Sequence, residues 1–109
     1  MEKGPSTYAE YWTSPYNEVN HFYFHANEFG YTLITEYSKA AIEFAKKESD
    51  NIITFVANEK KHGSTYKYDK DTNEFMIISR SGKIVTYFLP EDEIKYFYDQ
   101  FDKWGDHWN

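Results

Sequence analysis

The sequence predicts an α+β fold: two N-terminal helices, a four-stranded antiparallel meander and a C-terminal helix. Three observations predict it. Apolar residues recur at helical spacing through residues 17–47. Residues 51–89 then change to short β-branched and aromatic runs separated by polar turns. A helical stripe returns from Ile94 to Trp104.

Residues 1–16 hold Gly4, Pro5 and Pro15 and predict an irregular arm that docks through Tyr8, Tyr11 and Trp12. The rest, 17–109, is expected to form a single domain. Asn17 is the expected N-cap of the first helix, which runs to Phe29 with Gly30 just past its end. Val19, Phe22, Tyr23, Ala26 and Phe29 make its core stripe, and His21, His25 and Glu28 fall on a neighbouring, outward stripe. The second helix starts between Thr32 and Thr35 and runs to about Lys47, burying Ile34, Tyr37, Ala41, Phe44 and Ala45.

Strands are expected at 51–58, 65–69, 74–79 and 84–89. The turns between them are EKKHGS, KDTN and RSGK. Pro90 is expected to open the last helix, with Glu91, Asp92 and Glu93 in its first turn and Gly105 at its end. With the helices on one sheet face, the other face is expected to be at least partly free.

Composition limits the function. Nine Phe, eleven Tyr and three Trp supply either a core of large rings or stacking surfaces for bases or a partner protein. A net charge of −6 argues against a dedicated duplex-DNA binder. With no cysteine, disulfides and thiolate metal sites are excluded. No apolar run reaches the length of a membrane helix.

The chemistry candidates centre on His21 and His25, four residues apart and therefore on one side of a helix. A metal pair would need a third ligand, for which Glu28, His62 and His107 are the candidates; no metal or other cofactor is expected. General acid–base catalysis needs only the histidines, because His titrates near neutrality. The plain alternative is that both rings brace helix packing. Thr86 sits between Ile84 and Phe88 on its expected strand face, either as a core-edge residue or as a hydroxyl aimed at a phosphate. Arg80 and Lys83 flank the RSGK turn, and Lys60, Lys61, His62 and Lys67 form the other basic neighbourhood.

Three stretches in order carry a resemblance. NHFYFHANEFGY is similar to a pattern of His, Phe, two residues, His, two residues, Glu-Phe-Gly. EYSKAAIEFAKK follows, and then YKYDKDTNEFMIISRSGKIVTYFLP, with its Gly-x-Ile-x-Thr-x-Phe-x-Pro ending. Together, over residues 20–90, they resemble the C-terminal ribonuclease domains of bacterial polymorphic toxins, the barnase–EndoU–colicin–RelE-like group. The resemblance implies a metal-independent endoribonuclease cleaving tRNA or another structured RNA. It also implies action in a bacterial cytoplasm, delivery as part of a larger secreted toxin, and a cognate immunity protein or antitoxin. His21 and His25 match the helix motif, Thr86 matches the Thr of the last strand, and Tyr66 and Tyr68 match the strand before the turn; His21, His25 and Thr86 are the candidate catalytic residues. Where the family usually has a Lys immediately before the second His, this chain has Phe24. Lys67, Arg80 and Lys83 are the cations available to replace it, beside Tyr66 and Tyr68, as substrate-binding residues. The competing expectation is a catalytically inert, acidic binding or regulatory protein of the immunity type.

Overall fold

The computed structural model describes residues 4–105. Its order is α1 (Pro15–Phe29), α2 (Ile34–Lys46), β1 (Ile52–Val56), β2 (Thr65–Asp69), β3 (Phe75–Ile78), β4 (Ile84–Phe88) and α3 (Ile94–Trp104). Short 3-10 turns cover Ala9–Tyr11 and Glu59–Lys61. The sheet is an antiparallel meander in the order β1-β2-β3-β4, as the sequence predicts.

The sheet is covered on both sides. On one face Met76, Ile84 and Tyr87 pack with Tyr37, Ala41 and Phe44 of α2, Ala26 of α1, and Trp12. On the other, Phe55, Tyr66, Tyr68 and Phe75 pack with Phe97 of α3. The second face, expected to be at least partly free, is mostly covered. The α3 stripe Ile94, Phe97, Phe101 and Trp104 takes most of it, leaving a corner near Ile77, Val85 and Tyr66.

Helix α1 begins earlier than expected. Ser14 caps it, its Oγ accepting from the Asn17 amide at 3.0 Å, and Pro15 takes the first helical position. Asn17 is inside the helix and instead ties it to the sheet, its Nδ2 donating to the Val85 carbonyl at 2.8 Å. Gly30 ends α1 at φ +81°, a left-handed conformation that costs glycine little. Helix α2 is capped by Glu36, whose Oε1 accepts from the Leu33 amide at 3.2 Å.

The arm docks through Trp12, which is 2 % exposed, bridges to Ile84 and stacks on Tyr37 at 5.8 Å. Its indole N–H donates to Ser38 Oγ at 3.1 Å. Ser38 in turn donates to Glu18, a fully buried carboxylate that also accepts from the Ser6 amide and hydroxyl. Tyr11, by contrast, is exposed. So is Tyr23, which the helical stripe had placed in the core. Pro90 does not open α3. Residues 91–93 form a turn, and Glu93 at φ +53° precedes a helix with no acid in its first turn. Gly105 closes α3, where a Cβ would lie 2.5 Å from the Phe101 ring. His107 lies outside the described residues.

Strand β4 contains a bulge that matters for the site. Ile78 pairs with Ile84 but Ile77 pairs with Thr86, so Val85 is an extra residue. The bulge turns Ile84 into the core beside Tyr87. Thr86 opposes Ile77 on the α3 side. The simple alternation that put Ile84 and Thr86 together fails at this point.

Candidate active site at the β4 edge

Helix α1 lies along the outer edge of β4 and occupies its free backbone groups. Asn17 takes the Val85 carbonyl, and Glu28 Oε1 accepts from the Leu89 amide at 2.9 Å. The Thr13 amide, just before the helix, donates to the Ile84 carbonyl at 3.0 Å. This seam brings both histidines against β4 rather than outward, which corrects their expected placement.

His21 Nδ1 lies 3.1 Å from Thr86 Oγ1. His25 Nδ1 lies 2.8 Å from Glu28 Oε2. The rings form a continuous stack: Trp12 on His21 at 6.0 Å, His21 on His25 at 5.6 Å, and His25 on Phe88 at 4.9 Å. Residues 65 positions apart, His21 and Thr86, thus share one cluster, because α1 and the fourth strand of the meander are neighbours.

The two histidines are unequal. His21 is half-buried, and burial, reinforced by His25 nearby, lowers its pKa from 6.5 to about 4. It is neutral at pH 7 and so lacks the acidic proton of an imidazolium. A carboxylate can only accept, so Glu28 fixes His25 with Nδ1–H inward and leaves Nε2 its lone pair. Glu28 is itself held, since its other oxygen takes the Leu89 amide. This makes His25 the stronger candidate base and Glu28 its orienting residue, a role helix spacing alone did not assign.

Thr86 is 7 % exposed. It is placed to set the His21 ring, not to meet a phosphate directly. If Thr86 donates to Nδ1, the His21 Nε2–H is left as a neutral hydrogen-bond donor.

The other expected site residues are scattered. Lys67 is buried, and its ammonium caps α2 by donating to the carbonyls of Phe44, Ala45 and Lys47, with the Phe44 bond at 2.8 Å. Desolvation lowers its pKa. Tyr68 is buried against Phe97 and its hydroxyl donates to Asn73 Oδ1 at 2.7 Å. Lys83 donates to the Glu10 carbonyl. Lys67 and Tyr68 are thus structural, which corrects their expected role as substrate contacts, while Lys83 stays exposed. Arg80 pairs with Glu59 at 2.8 Å across an exposed turn. Tyr66 is buried under Phe55, its ring 4.7 Å away. No cation of this set stands in the position Phe24 vacates. Phe24 is itself 64 % exposed, on the α1 face that also carries Tyr16 and Tyr23. Among the described residues no group of three or more His, Cys, Asp or Glu is arranged to hold a metal ion.

Burial of His21 has a consequence for stability. The unfolded chain binds a proton near pH 6.5 and the folded chain only near pH 4. Stability is therefore full above pH 6.5 and falls between 6.5 and 4. A fully enclosed ring would lose roughly 3 kcal/mol over that window; screening of a half-exposed one reduces this to about 1–2 kcal/mol. Urea denaturation at a series of pH values should show this loss in the wild type and a flatter profile in His21→Phe, which keeps the stack. Identical profiles in the two proteins would remove the assignment.

Neither a scan against protein-family models nor a search of curated proteins finds a match to this chain.

Proposed function

We propose that this protein is a metal-independent endoribonuclease that cleaves RNA by transesterification, in the manner of a toxin domain held by an immunity protein. The reading is carried by one observation: His21 and His25 of α1 meet Thr86, far along the chain, at the β4 edge, with Glu28 bonded to His25. His25 Nε2 takes the proton of a ribose 2′-hydroxyl. The 2′-oxygen then bonds to phosphorus and the bond from phosphorus to the 5′-oxygen breaks. The leaving oxygen takes a proton from water, and the product is a 2′,3′-cyclic phosphate. Neutral His21, set by Thr86, donates a hydrogen bond to a phosphate oxygen as charge builds there. The structured RNA expected from the resemblance, tRNA above all, is the proposed substrate.

Incubation of the purified protein with total RNA in EDTA tests this. Discrete fragments ending in 2′,3′-cyclic phosphate are expected. Intact RNA at micromolar protein, with the fold verified by circular dichroism, would overturn the reading.

One observation favours a second reading, a binding module for a basic partner. The outer face of α1 exposes Tyr16, Tyr23 and Phe24 beside Asn20 and Asn27, on a chain of net charge −6. Affinity capture from the source cell that recovers no partner would count against it.

A further inference from the structure

The corner of the sheet that α3 leaves uncovered forms a cavity of about 590 Å³. Ile77 and Val85 give it an apolar lining in front of buried Tyr66, and Lys61, His62 and Arg80 bring basic groups to it. Ser79 and Ser81 add hydroxyls, their Oγ atoms 2.9 Å apart.

The basic side of this cavity is shaped by the backbone. His62 and Gly63 both have positive φ, at +58° and +67°, which folds the turn after Lys61 tightly back. A side chain at 63 would put its Cβ 2.4 Å from the Arg80 guanidinium, so the glycine is what lets Arg80 cross the turn. Lys61 is held over the Trp104 ring at 4.4 Å. The partner of Arg80, Glu59, is 84 % exposed, so the pair is open to exchange with another anion.

The cavity is tied to the histidines through the sheet. Thr86 pairs with Ile77 and Ile77 with Tyr66, so one cross-strand row runs from the His21 contact to the cavity lining. Two strand spacings make this about 10 Å, within reach of a nucleotide neighbouring the scissile one.

The geometry points to a nucleotide-binding subsite, taking a base on Ile77 and Val85, with buried Tyr66 behind them, and its phosphate on Arg80, His62 and Lys61. An apolar surface bordered by cations suits a flat aromatic group that carries an anion, which is what a nucleoside monophosphate is. The inference rests on the ribonuclease reading for its biological role, but binding at the cavity is measurable without cleavage.

The test is a titration with AMP, with adenosine and inorganic phosphate as separate probes, followed by methyl and amide NMR shifts in the intact protein. AMP is expected to move the Ile77 and Val85 methyls and to bind more tightly than adenosine or phosphate. Arg80→Ala should weaken it about tenfold or more, from the loss of a charge-assisted bond. Ser81→Asp, a change at an exposed position that leaves the core alone, should do the same by repulsion. AMP binding elsewhere, binding no tighter than phosphate alone, or wild-type affinity in both variants would each overturn the subsite. A protein that binds AMP here yet cleaves no RNA keeps the subsite and loses the ribonuclease reading. Cleavage without AMP binding has the opposite meaning.

Discussion

His25→Ala should lower RNA cleavage by about 10²–10⁴-fold while leaving the fold in place, since a positioned proton acceptor contributes on that order. The ring is about a quarter exposed and, among the described residues, its side-chain hydrogen bond is with exposed Glu28, so its removal strands no buried group there. The variant loses stacking on Phe88 and His21, a cost of about 0.5–1.5 kcal/mol each, short of unfolding the domain. Initial rates on one defined RNA, beside a urea melt of each protein, separate the two effects. Glu28→Gln should act in the same direction and less strongly, because it disturbs the orientation of His25 and leaves the ring. His25→Ala with wild-type rates would remove His25 from the chemistry, and the stack would then be packing alone.

Trp12→Ala should cost about 3–5 kcal/mol in equilibrium urea denaturation, the range for truncating a buried Trp. That is a large share of the roughly 5–15 kcal/mol available to a domain. Trp12 is almost wholly buried, stacks on Tyr37 and His21, and donates to Ser38. Its loss leaves a cavity and also frees the arm that covers Ile84. Trp12→Phe should recover most of the loss, keeping the ring and giving up the hydrogen bond to Ser38. A cost below about 1 kcal/mol for Trp12→Ala would mean the arm contributes little to the fold.

Local patterns in the sequence made the meander legible, because alternating strands and Gly, Asn and Asp turns act over a few residues. The α2 stripe and Gly30 were legible for the same reason. The start of α1 was readable too, in Ser14-Pro15, but Asn17 competed as a cap. Pro90 with three acids after it imitates a first helical turn, and only the backbone at Glu93 shows otherwise. The bulge at Val85 depends on pairing across two strands, which no single segment encodes. Lys67 reads as a surface cation because its acceptors are carbonyls of a helix end, and those leave no mark in the sequence.

At the site, the His21, His25 and Thr86 grouping was anticipated, and the division of labour was not. Which histidine is enclosed depends on Trp12, contributed by the arm. What orients the other depends on Glu28 meeting the end of β4. Both are long-range facts.

The stack from Trp12 through the two histidines to Phe88 starts in the core beneath α2 and ends beside Tyr96 of α3. The histidines therefore have no soft segment of their own. In hydrogen exchange, the amides around His21 and His25 should open with the whole domain and not as a separate local event. On the proposed ribonuclease reading, an inhibitor protein would find no hinge here to pull and would have to lie over the histidines.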